Sequence, residues 1–202
     1  MRDFLSGILD KLSELEFDFQ YNQGIILTEY DLQCLLFHKI YELFSHDVNT
    51  FDADIKGSPL HAELKFFDDK GKLYYRPDLT IIKPENYSII HSIAEFIIKD
   101  NKIHFKATSS KQFEFCGDSI IIELKYCRAK TGIRKIERFK ADLKKIKEIK
   151  GLVERDGVTK VYGIVAIFNK TDKKSDELMD FIRSSENDDD IKVIYYTGKV
   201  KI

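Results

Sequence analysis

Hydrophobic residues recur along this chain with two different periods, and the switches between them mark its elements. Near the start, Phe4, Leu5, Ile8, Leu9, Leu12 and Leu15 are spaced by three or four, the repeat of one helix face. Asp3, Asp10, Lys11 and Glu14 interrupt them, so residues 1–20 read as an amphipathic helix that docks on a core, not as a signal peptide. YNQG is a turn, and Thr28 is a candidate N-cap for a second helix reaching about residue 45. An irregular polar stretch ends at Pro59. LHAELKFF (60–67) and KLYYRPDLTIIK (72–83) then read as the two strands of an antiparallel hairpin, turning at Gly71.

Residues 84–118 lose the regular pattern. SIIHSIAEFII suits a strand or a short helix, and KDNKIHFKATSSKQFEFCGD reads as strand pieces between polar turns; the segment is an expected insertion in the core. SIIIELKYC (119–127) is an apolar strand. A helix over 132–150 carries Ile133, Ile136, Phe139, Leu143, Ile146 and Ile149 at helical spacing. A strand at 158–168, a helix at 173–186, the acidic loop SSENDDD and a last strand at 191–196 complete the chain. Strand–helix–strand order implies a parallel crossover. The expectation is a single α/β domain over residues 1–202, with a mixed central sheet flanked by helices.

Two of these strands carry charge where charge is costly. Asp78 stands between Pro77 and an apolar run. In SIIIELKYC, Ile121, Glu123 and Lys125 share one face, and Ile120, Ile122, Leu124 and Tyr126 the other. A buried carboxylate costs several kcal/mol unless it is paired or bound to metal. Two carboxylates and a lysine meeting at one point would offset that cost around a divalent cation. Such a set suits phosphodiester hydrolysis: a metal polarises the phosphate and acidifies a bound water, while an ammonium stabilises developing charge. The alternative for Glu123 and Lys125 is a surface ion pair on a half-exposed sheet face.

At Pro77-Asp78 on one expected strand and Glu123-Leu124-Lys125 on the next core strand, the latter followed by a helix, the chain resembles the PD-(D/E)xK nuclease superfamily, whose fold is restriction-endonuclease-like. The resemblance spans roughly residues 28–168 and follows the family's order of helix, hairpin, ExK strand, helix and strand. It implies Asp78 and Glu123 as ligands of Mg²⁺ or Mn²⁺, assisted by the backbone carbonyl of Leu124, and Lys125 attending the attacking water. Asp78 and Glu123 stand 45 positions apart, longer than the family often shows, so residues 84–118 must loop out without separating their strands. A second ELK occurs at 63–65. It precedes the Pro-Asp pair and so cannot be the second half-motif, although Glu63 on the hairpin is a candidate supporting acid.

Many members of the superfamily add a glutamate from the helix before the hairpin, and Glu29, Asp31 and Glu42 are the candidates here. At about 100° per residue, Leu36 and Ile40 fall within about 20° of Glu29, whereas Asp31 and Glu42 point about 140–160° away. Glu29 is the acid within the apolar stripe, with Gln33 a weaker neighbour one turn on. The alternative is an ordinary first-turn glutamate favoured by the helix dipole.

Composition adds a location for nucleic acid. The 202 residues are 43% hydrophobic and 33% charged, with a formal net charge of −1. Yet residues 125–150 hold eleven Lys/Arg against three Asp/Glu, a local +8, leaving −9 for the rest. Arg134, Lys135, Arg138 and Lys145 surround the apolar stripe of that helix and are candidate phosphate contacts, although lysine-rich helix faces are commonly just solvated. The expected partner is DNA. Cutting two strands often takes two sites, so a homodimer is a further expectation that no residue here encodes. Cys34, Cys116 and Cys127 lack metal-ligand spacing and read as small buried hydrophobes, and His38, His46, His61, His91 and His104 as structural or exposed. Without a disulfide framework or an apolar run near the ~20 residues of a membrane span, a cytoplasmic protein is expected. No glycine-rich phosphate loop is present.

Overall fold

The longest apolar runs become the most deeply buried strands. A computed structural model describes residues 1–67, 73–89, 105–107, 113–128, 136–154, 159–185 and 188–201. Among them are helices α1 (Arg2–Tyr21), α2 (Glu29–Tyr41), α3 (Ile136–Val153) and α4 (Asp176–Ser184). The first strands are β1 (Val48–Asn49), β2 (Lys56–Gly57), β3 (Leu60–Ala62), β4 (Phe66–Phe67), β5 (Leu73–Tyr75) and β6 (Leu79–Ile82). They are followed by β7 (Tyr87–Ser88), β8 (Phe105–Ala107), β9 (Phe113–Phe115), β10 (Ser119–Cys127), β11 (Val161–Asn169) and β12 (Ile191–Thr197). Five of them form one mixed sheet in the order β12-β11-β10-β6-β3, so the chain is mixed α/β. All nine residues of β11 are buried, the mark of a strand covered on both faces. β11 and β12 run parallel, from Gly163↔Ile191 to Asn169↔Thr197, with α4 as the crossover between them.

The chain folds as two compact units. One comprises 44–121 and 147–162, the other 2–43, 122–146 and 163–202.

In the first unit the expected hairpin forms, but each of its arms is broken. β3 pairs antiparallel with β6, Leu60↔Ile81 to Ala62↔Leu79, while β4 pairs with β5 in a separate two-stranded sheet. LHAELKFF is therefore not one strand. Glu63 adopts a left-handed φ of 52° and donates its backbone N–H to the Asp78 carbonyl, 3.0 Å, and Pro77 on the other arm has no N–H to give a ladder. The strand pieces expected before residue 118 are present as a small sheet, β7-β9-β8; from residue 90 to 104 the ambiguous segment lies outside the described residues. β10 still neighbours β6 in the five-stranded sheet, as the long gap between the half-motifs requires. Gly117 turns the chain into β10 with φ 77°, and a Cβ there would sit 2.6 Å from the Asn86 side chain, so both backbone and space call for glycine.

His61, opposite Thr80 in β3–β6, stacks edge-on against Tyr87 at 5.4 Å. Burial pushes its pKa below 6.5, only partly offset by a hydrogen bond with the Ser58 backbone. Folding thus favours the neutral ring. The stability this contributes is complete above the unfolded value and is lost as pH falls through the folded one. Urea midpoints should therefore drop between pH 7.5 and 5.5, and His61→Gln should flatten that dependence; an unchanged slope in the variant would assign it elsewhere.

In the second unit, α1 docks on α2 and β12, burying Ile8, Leu12, Leu15 and Phe19 completely. Glu16 accepts the Thr197 N–H at 2.8 Å, and Lys39 reaches Asp18 at 2.7 Å. Thr28 caps α2 as expected, in a capping box with Asp31. The backbone N–H of Leu27, with help from Thr28, holds the Asp31 carboxyl below the usual range. α2 ends at Tyr41, short of the expected 45. Cys34 is exposed rather than buried, because it lies opposite the stripe of Leu32, Gln33, Leu36 and Ile40 that α2 buries. Cys127 is buried as expected. Among the described residues no helix is long and apolar enough to cross a membrane.

Candidate active site

The two charges on β10 are not on a surface. Glu123 and Lys125 project from a strand in which eight of nine residues are buried and Lys125 alone is intermediate. Their side chains are 5% and 12% exposed, and Lys125 Nζ donates to Glu123 Oε2 at 2.7 Å. The alternative of a half-exposed surface pair is thereby set aside. Two other elements bring carboxylates to the same ammonium. Asp142 Oδ2, from α3, lies 3.2 Å from Nζ with its side chain 15% exposed. Glu29 Oε1, at the first helical position of α2, lies 3.9 Å away and is the wettest of the three acids.

Each position follows from local structure. Period-two alternation puts Glu123 and Lys125 on one face of β10, while Leu124 and Tyr126, both buried, pack on the other. The Tyr126 hydroxyl donates to the Ile26 carbonyl at 2.9 Å, and the Tyr126 N–H donates to Glu29 Oε2 at 3.1 Å. These two bonds tie the end of β10 to the start of α2 and hold Glu29 beside Lys125, with its helix-face neighbour Gln33 buried. Asp31 and Glu42 point away, as helical geometry required: Asp31 caps α2 and Glu42 is exposed. Three carboxylates thus come within 4 Å of one ammonium, two of them with side chains no more than 15% exposed.

Sequence reasoning passes over Asp142. The helical arithmetic that selects Glu29 also finds it: relative to Phe139, Asp142 falls about 60° to one side, inside the arc spanned by Ile136 and Ile149. An acid within an apolar stripe, next to a strand bearing an inward lysine, was the available clue.

The remaining expected residues are placed as follows. Asp78 is half-buried at the start of β6, in the first unit, and its carbonyl accepts from Glu63. Glu63, in its left-handed turn rather than on a strand, pairs with Arg76 at 3.5 Å, a solvent-accessible pair worth little. Arg138 is exposed on α3 and Lys145 half-buried; Arg134 and Lys135 lie outside the described residues. The His46 ring bonds Ser58 Oγ at 2.7 Å, a structural role like that of His61; His38 is exposed, and His91 and His104 lie outside the described residues. Hard carboxylate oxygen is the donor chemistry that Mg²⁺ and Mn²⁺ prefer. Among the described residues, however, no three His, Cys, Asp or Glu side chains are gathered to hold a metal ion; the cation that Glu29, Glu123 and Asp142 share is Lys125.

Compared with protein-family models, curated proteins and solved structures, the chain matches none.

Proposed function

We propose that the protein is a divalent-metal-dependent nuclease of the PD-(D/E)xK type, cutting phosphodiester bonds within DNA. The observation that carries this reading is the buried Glu123–Lys125 pair on β10, 2.7 Å apart, with an acid from the preceding helix beside it. A buried lysine among carboxylates on a core strand is expensive to keep for stability alone, and such expense is typical of sites that do chemistry. The order α2, β3–β6 hairpin, β10, α3, β11 supports a restriction-endonuclease-like core.

The resemblance in sequence assigns Mg²⁺ or Mn²⁺ to the Pro-Asp and Glu-Leu-Lys half-motifs, with Asp78, Glu123 and the Leu124 carbonyl as the expected ligands. When bound, such an ion polarises the phosphate and lowers the pKa of a coordinated water. The residues of the chain do the rest. Lys125 sets a fixed positive charge where charge develops on the phosphate, Glu29 supplies an outer acid at the solvent side of the cluster, and Arg134, Lys135, Arg138 and Lys145 neutralise flanking phosphates. Two copies of the chain would serve the two strands of a duplex.

The test is cleavage of plasmid, linear, branched and single-stranded DNA with Mg²⁺ or Mn²⁺. Activity lost in Asp78→Ala and in Lys125→Ala, each verified as folded, is the expected result. A second reading has one observation in its favour. Because three carboxylates already share the Lys125 ammonium, the same fold could serve as a catalytically silent DNA-binding or scaffolding subunit. Salt-dependent DNA binding without cleavage under every metal condition would select it.

A further inference from the structure

We infer that Asp142 is a positioning residue of Lys125, resting on the nuclease reading above. A lysine ammonium is a point charge on a flexible four-carbon stem, and contacts from two different elements fix it more closely than contacts from its own strand. Glu123, two residues away on the same strand face, supplies one contact at 2.7 Å. Glu29, at 3.9 Å, is beyond hydrogen-bond reach. Asp142, at 3.2 Å, gives another short contact, and it comes from a different element. Strand and helix together therefore fix where Nζ sits.

The height of Asp142 over the sheet is itself set by packing. Phe139 and Ile146 of α3 are fully buried, and Ile146 Cγ2 lies 2.6 Å from where a Cβ on Gly163 of β11 would be. Glycine in the middle of that buried strand lets α3 come close. Asp142, one turn before Ile146, is carried in with it. An acid that touched only solvent would gain nothing from such an approach.

Two readouts separate positioning from mere structure. The first is the rate at which Lys125 is acylated by acetic anhydride, followed by peptide mass spectrometry, in wild type, Asp142→Asn and Asp142→Glu, with Glu137→Gln as an exposed control. Asp142→Asn should acylate at Lys125 severalfold faster, Asp142→Glu should restore much of the protection, and Glu137→Gln should match wild type. The second is DNA cleavage with Mn²⁺. Asp142→Asn should lower kcat by about 10- to 100-fold, the penalty of a misplaced group, with KM little changed. Unchanged acylation together with unchanged kcat in a folded Asp142→Asn overturns the assignment. If wild type cleaves no DNA, the nuclease reading fails alone, and acylation still decides whether Asp142 holds Lys125. Should Asp142→Asn fail to fold, Asp142→Ser is put through the same measurements with the same expected and overturning results.

Discussion

Lys125→Ala should cost about 3–5 kcal/mol of folding stability, the range for removing one partner from a buried ion pair. The size comes from what is left behind. Glu123 is 4% exposed and would lose the ammonium 2.7 Å away, and Asp142 would lose its contact at 3.2 Å. Three acids would then lose the ammonium they share. The paired change Glu123→Gln with Lys125→Met should recover much of the loss, because apolar and neutral groups of similar shape replace buried ions at little cost. Urea unfolding of the two single variants and the double variant closes a cycle. A single-variant loss below about 1 kcal/mol, as for an exposed pair, would show that water reaches the cluster freely and would remove the burial argument from the proposed site.

The second large effect concerns the N-terminal helix. Phe19→Ala should destabilise the protein by about 3–5 kcal/mol, the usual cost of deleting a buried aromatic side chain. Phe19 is fully buried, with its ring 6.1 Å from Tyr126 in a T-shaped contact and 6.4 Å from Phe168. Phe168 in turn lies 4.8 Å from Tyr196, so one aromatic cluster links α1, β10, β11 and β12. Tyr126 also carries the N–H that holds Glu29. Loosening this cluster should therefore weaken the α2 side of the candidate site as well as the docking of α1. Thermal melts and hydrogen exchange of residues 2–21 check it. A variant that melts within a few degrees of wild type, with α1 still protected, would mean that the helix is held by its other contacts.

The existence and type of the helices and of the long strands were legible because period is a local property, whereas the stretch before Pro59, read as irregular, holds the short pair β1 and β2. Ile8, Leu12, Leu15 and Phe19 mark α1 without reference to anything distant, and Thr28 marks the start of α2 through its own side chain. The doubly buried strands were legible from their unbroken apolar runs. What misled was continuity. LHAELKFF has the alternation of one strand, yet Glu63 breaks it with a left-handed backbone, a conformation that no local pattern announces for glutamate. Cys34 misled for the converse reason, since cysteine is often buried but helix phase placed this one in solvent.

Within the candidate site the division is sharper. Sequence by itself determined that Glu123 and Lys125 share a strand face, that Glu29 sits in the apolar stripe of α2, and that an acid and a lysine would have to be accounted for inside an apolar strand. These follow from repeats of two and 3.6 residues, which need no partner element. Tertiary structure alone decided that this face is dry, that the lysine ammonium is shared by three carboxylates, and that one of them is Asp142. Burial and distance depend on how closely α3 approaches β11 at Gly163, and that approach is set by packing between residues far apart in the chain.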